Sequence, residues 1–182
     1  MRIGISAGFG IVTALLLFLG AGDLLGLFLL AAAIHELGHL AAIALCRARL
    51  TQIRLELSGV AIYYDHSEVG YVADALIAFA GPLAGAIAAI AAAWLGFEQF
   101  AGISLVLSAV NLLPAIPLDG GVILRSLLTL AAGERPAILT AVHCMTCFGL
   151  LMLGLYVLYV TGGNFTCLLM AICLLVLPLI RK

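Results

Sequence analysis

The clearest chemistry in the chain lies in Ala33-Ile34-His35-Glu36-Leu37-Gly38-His39-Leu40, where a glutamate stands between two histidines. Residues four apart share one face of a helix, so both imidazoles can reach one metal ion and Glu36 can reach a water on it. The pattern is that of a zinc hydrolase. Its setting adds weight, because three ionisable residues in an otherwise Ala- and Leu-rich run are costly inside a bilayer, and zinc would be their compensating partner. The competing reading is a His pair hydrogen-bonded across a helix bundle, or a proton relay.

A catalytic zinc usually has three protein ligands and a fourth position for water. The candidate third ligand is Asp119, in Asn111-Leu112-Leu113-Pro114-Ala115-Ile116-Pro117-Leu118-Asp119-Gly120-Gly121. Two prolines break an apolar run there and two glycines follow the acid. Irregular backbone at membrane depth survives only where it is buried in protein or lines a wet cavity. The other reading makes Asp119 the N-cap of a helix running to Leu130, which is compatible with ligation through its second oxygen.

The elements that hold these residues follow from composition. Of 182 residues, 65% are hydrophobic and 9% charged, against roughly 25% charged in a soluble domain. A water-soluble monomer is excluded, and an all-α polytopic membrane protein is expected. Six apolar runs, about 3–19, 24–46, 72–95, 100–116, 136–160 and 164–180, are long enough to span a bilayer. The first follows Arg2, but no cleavage site marks it as a signal peptide, and it reads as a helix. Arg2, Arg47, Arg49, Arg54, Arg125, Arg135, Arg181 and Lys182 fall at the termini and in the second and fourth connections, which places these on the cytoplasmic side. No connection is long enough for a further soluble domain, so 1–182 reads as one domain and any regulator as a separate membrane protein. Eight Lys and Arg against nine Asp and Glu give no basic field for nucleic acid.

One stretch departs from helical periodicity. Over 51–64, Ile53, Leu55 and Leu57 alternate with Gln52, Arg54 and Glu56, Ser58-Gly59 interrupts, and Val60, Ile62 and Tyr64 resume the period of two. This predicts a short β-hairpin on the cytoplasmic side, at the interface or lining a protein cavity. A solvated tether between helices is the plainer alternative.

The HExxH motif followed by Asn-x-x-Pro…Leu-Asp-Gly resembles the signature of the site-2 protease family of intramembrane metalloproteases. Ala80-Gly81-Pro82, opening the third span, resembles that family's Ala-Gly-Pro motif. Where the family often continues to Asn, this chain has Gly85, so no polar role is carried to that position. The resemblance covers roughly 24–130. It implies that His35, His39 and Asp119 bind one zinc ion, that Glu36 is the general base, and that Asn111 hydrogen-bonds substrate backbone or the developing oxyanion. An interhelical hydrogen bond is the alternative for Asn111. The resemblance also suggests that the 51–64 hairpin, with Ile53, Leu55 and Leu57, pairs with an extended substrate.

Counting eight residues from His39 to Arg47 gives about 12 Å at the helical rise, so the site is expected near the cytoplasmic face. The small residues of the third span read as helix packing, with Gly81 letting that helix pass near the active site. His143, Cys144 and Cys147 also read as packing rather than a second metal site, and five scattered cysteines show no disulfide framework. His66 reads as part of a solvated polar segment, with a pH-sensing role open. The compact form looks most like the sporulation-type bacterial branch of the family, with a membrane-tethered protein as substrate, such as a sigma-factor precursor or anti-sigma factor. Two readings from other classes are a metal transporter and a non-proteolytic scaffold.

Overall fold

Apolar runs without internal breakers become long helices in the computed structural model, which describes residues 2–5, 22–56, 59–64, 69–162 and 172. In chain order the elements are β1 (Arg2–Ile5), α1 (Gly22–Leu45), β2 (Leu50–Glu56), β3 (Gly59–Tyr64), α2 (Tyr71–Trp94), α3 (Glu98–Asn111), α4 (Asp119–Ala132) and α5 (Pro136–Thr161). Three segments among the described residues are long and apolar enough to cross a membrane: Leu24–Leu45, Tyr71–Trp94 and Pro136–Val160. Their bounds lie close to the expected runs 24–46, 72–95 and 136–160. Large apolar side chains such as Phe28, Leu30, Leu83, Ile90, Phe148 and Tyr156 are left exposed. Apolar surface on this scale needs a nonaqueous cover, and the chain is an integral membrane protein.

Two expected spans are corrected. The run expected to be helical over 3–19 begins as strand β1, and its residues 6–19 lie outside the described residues. Hydropathy registered the apolar content of Ile3 and Ile5 but not the neighbouring strand that takes them up. The run expected over 100–116 is a 14-residue helix ending at Asn111, about 21 Å long and short of a roughly 30 Å hydrocarbon core. Pro114 and Pro117 stop it, the Ile116–Pro117 bond being cis. Part of the expected fourth connection is helix α4. The expected span 164–180 falls almost wholly outside the described residues.

The chain divides into two compact units, Met1–Val110 and Asn111–Lys182. In the first, the strands form one sheet in the order β1-β2-β3. β2 and β3 pair antiparallel with Ile53 opposite Ile62, and β1 pairs parallel with β2 with Ile3 opposite Ile53. β2 is therefore central, an arrangement that the 51–64 pattern alone does not contain. The Tyr64 hydroxyl donates to the carboxylate of Asp74, tying β3 to the first turn of α2. Helix α1 stops in a Schellman-type turn, with Arg47 at φ 55° and hydrogen bonds from Arg47 N–H to Ala44 and from Ala48 N–H to Ile43.

Within this unit α1 and α2 approach closely because small residues meet. A Cβ on Gly38 would strike the Ala80 carbonyl and the Ala84 methyl. Helices α2 and α3 are joined by the Ser104 hydroxyl, which donates to the Gly85 carbonyl at 2.9 Å, while Ser108 donates to Ser104 at the same distance. In the second unit, Ala115, Cys147 and Leu150 form a small buried cluster against which Leu113, Leu118 and Leu151 pack.

Candidate metal centre

His35 and His39 lie on one face of α1 and both are buried, with 4% and 8% of their surface exposed. Helical periodicity places them, as a four-residue spacing must. The two rings meet edge to face with centroids 4.8 Å apart, and their Nε2 atoms face each other at 3.2 Å. Two imidazole nitrogens this close cannot both carry hydrogen. Either one donates to the other, or both lone pairs turn to a shared cation. Two ligands of a tetrahedral zinc at about 2.0–2.1 Å lie roughly 3.3 Å apart, so the observed separation fits a pair of zinc ligands without rearrangement. A His pair bonded within its own helix also explains the contact in the absence of metal.

The imidazole of His39 is held from α2. Its Nδ1–H donates to the Ile77 carbonyl at 2.8 Å. A side chain on Gly81 would overlap the same ring. Glu36, next to His35 on α1, is partly exposed. His39 lies six residues before the end of α1, about 9 Å along the axis. Ala80-Gly81-Pro82 sits in the middle of α2, not at its opening as the expected third span had it.

In the second unit, Asp119 is the first residue of α4 and half-buried. The cap position belongs to Leu118, with extended backbone at φ −75°, ψ 160°, which corrects the reading of Asp119 as the N-cap. A carboxylate in the first turn is still favoured by the helix dipole. The two following glycines have a steric cause, since a Cβ on Gly120 would strike the Leu112 and Leu113 carbonyls and one on Gly121 the backbone at Ala115. Hydrogen bonds from Ala115 N–H to Leu113 and from Leu118 N–H to Ala115, both 2.8 Å, fix the loop. Asn111 ends α3 and is half-buried.

Other expected residues fall out differently. Ile53 and Leu55 are on β2, whose backbone pairs on both sides over Gln52–Leu55; Leu57 and His66 lie outside the described residues. Cys147 is buried and its Sγ lies 3.7 Å from His143 Nε2, whereas Cys144 is exposed. Cys144 and Cys147 thus face different surroundings. Beside Gly85, where no polar role was expected, the Ser108 hydroxyl occupies the space that a Cβ would take. Ser104 and Ser108 carry the period-four signal of one helix face, but nothing in the sequence says which helix they meet.

Residues 96–155 match the model of peptidase family M50. Among solved structures, the chain resembles the site-2 protease from Methanocaldococcus jannaschii with a TM-score of 0.71 at 22% identity, over 93% of this chain and 85% of that one. No curated protein sequence matches the chain. At that identity the structural likeness establishes the shared fold. The matched segment covers under half of the chain and does not include the HExxH motif on α1, so the chain is similar to these proteases in fold over nearly its whole length and in sequence over that segment.

Proposed function

We propose that the protein is an intramembrane zinc endopeptidase that hydrolyses a peptide bond in or next to the transmembrane segment of a membrane-tethered protein. The observation that carries this reading is the convergence of the His35 and His39 Nε2 atoms at 3.2 Å on a buried face, one residue from a partly exposed Glu36. His35, His39 and Asp119 would hold one zinc ion, Asp119 being assigned from the Leu-Asp-Gly motif and the family resemblance. Bound there, zinc supplies Lewis acidity at the scissile carbonyl and a lowered pKa for its water.

The residues of the chain do the rest. Glu36 takes the proton of the attacking water and hands it to the leaving amine. Asn111 hydrogen-bonds the substrate backbone or the developing oxyanion. A transmembrane helix hides its amides and must be unwound locally before attack. An extended peptide can pair with a free strand edge. Because β1 and β3 flank β2 among the described residues, substrate would pair along the outer edge of β3, with Ile53, Leu55 and Leu57 assigned to substrate by the family resemblance. Both termini face the cytoplasm, by the distribution of Lys and Arg, and the membrane is a bacterial cytoplasmic one. The substrate is a regulatory factor such as a sigma-factor precursor or anti-sigma factor, as in the sporulation-type branch, and a separate membrane protein would regulate access.

The test is Glu36→Gln in membranes containing a single-span protein that the wild type cuts. Loss of product with zinc content unchanged supports a protease. Unchanged cleavage would exclude Glu36 as the base, and loss of zinc would make it a ligand or structural residue.

A further inference from the structure

Helix α2 does more at this site than pack against α1. Gly38 on α1 admits the Ala80 backbone, and Gly81 on α2 leaves room for the His39 ring. These are approaches from opposite sides, and their consequence is a bond across 38 positions of sequence, from His39 Nδ1 to the Ile77 carbonyl at 2.8 Å. A carbonyl oxygen only accepts, so Nδ1 carries the hydrogen and the His39 Nε2 lone pair is left facing His35. In the metal-free protein, the Nε2–H of His35 then donates to that lone pair across the 3.2 Å gap. A methyl group at position 81 would occupy the volume of the imidazole, forcing either the ring off its carbonyl or α2 away from α1.

We propose that Ile77 and Gly81 are positioning residues for His39, the Ile77 carbonyl fixing its tautomer and the absent Gly81 side chain fixing its place. This rests on the reading of His39 as a zinc ligand and deepens it: the ligand is preset by a backbone group on the neighbouring helix. Partners of this kind set the orientation and basicity of metal-bound histidines, and losing one typically costs about 10–100-fold in metal affinity. A glycine conserving packing alone would affect stability but would leave the tautomer of His39 unspecified.

The experiment uses the full chain in detergent micelles with 15N-labelled histidine, stripped of metal at neutral pH. The nitrogen spectrum, assigned with a His39→Gln variant, is expected to show His39 protonated on Nδ1 and bare on Nε2. Zinc affinity, measured by competition with a chromophoric chelator, is expected to fall about 10–100-fold in Gly81→Ala. Gly26→Ala is the control, since nothing lies within 4 Å of a Cβ there, and it should bind zinc as the wild type does. If Gly81→Ala does not fold, the wild-type tautomer decides alone. Zinc bound by a wild type whose His39 is protonated on Nε2, or bound equally well by folded Gly81→Ala, would overturn the inference and leave the protease reading standing. A wild type that takes up no zinc would overturn both.

Discussion

The two units carry their chemistry in opposite ways. In Met1–Val110 the candidate ligands sit on a regular helix, and periodicity alone brings His35 and His39 to one face. On the neighbouring helix the Ile77 carbonyl then accepts from His39, and Gly81 leaves room for its ring. In Asn111–Lys182 the acid follows a loop broken by Pro114 and Pro117, and its place depends on Gly120 and Gly121 folding back on the backbone of 112–116. A helix needs only spacing to present a ligand, whereas an irregular segment needs a specific set of contacts for each residue. The first arrangement should tolerate change outside the contact face, and the second should not.

The largest effect is expected where chemistry is removed but structure is kept. Glu36→Gln should lower cleavage by about 10²–10⁴-fold while metal content and thermal midpoint in detergent stay at wild-type values. A midpoint that falls with activity would show that Glu36 holds the helix together.

Next is the sensitivity of the irregular loop. Gly120→Ala should destabilise the protein by about 1–3 kcal/mol, the usual cost of overpacking a close contact. Gly102→Ala, in the middle of α3 with nothing within 4 Å of its Cβ, should stabilise by roughly 0.5–1 kcal/mol through helix propensity. Thermal unfolding of both variants under one condition makes the comparison. Equal effects would mean that the loop is less constrained than its backbone contacts imply.

A smaller effect is expected at the join between sheet and helix. Tyr64→Phe removes the hydroxyl that donates to Asp74 and should cost about 1 kcal/mol. With β3 less firmly attached to α2, cleavage of a membrane-embedded substrate should drop while zinc content holds. Normal cleavage by this variant would remove the case for β3 as the edge that receives substrate.

How far the sequence reaches differs between the units for the same reason. Helices α1, α2 and α5 were legible within two residues because long apolar runs have few alternatives in a bilayer. So was the convergence of His35 and His39, which requires only a helix. The hydrogen bond from His39 to Ile77 was not legible, since a backbone acceptor leaves no mark in residue type. Gly81 is its sequence trace, read as letting its helix pass near the site but without the ring it makes room for. The strand at 2–5 was missed because hydropathy weighs composition and ignores pairing, and β2 becomes central only through that strand. The end of α3 at Asn111 could have been drawn from Pro114, but a span-length template overrode it. Asp119 was singled out by its surroundings of Pro and Gly, yet its position after the cap depends on the turn at 115–118.

The central claim is that this chain is a zinc enzyme whose ligands come from both motifs, and the most direct measurement is the metal content of detergent-purified wild type beside Asp119→Ala. The account predicts about one tightly held zinc per wild-type chain, the single ion of a three-ligand catalytic site. Asp119→Ala should hold zinc more weakly while keeping its fold. A well-folded wild type that carries no zinc after reloading would contradict the account, and full zinc retention by Asp119→Ala would remove Asp119 from the ligand set.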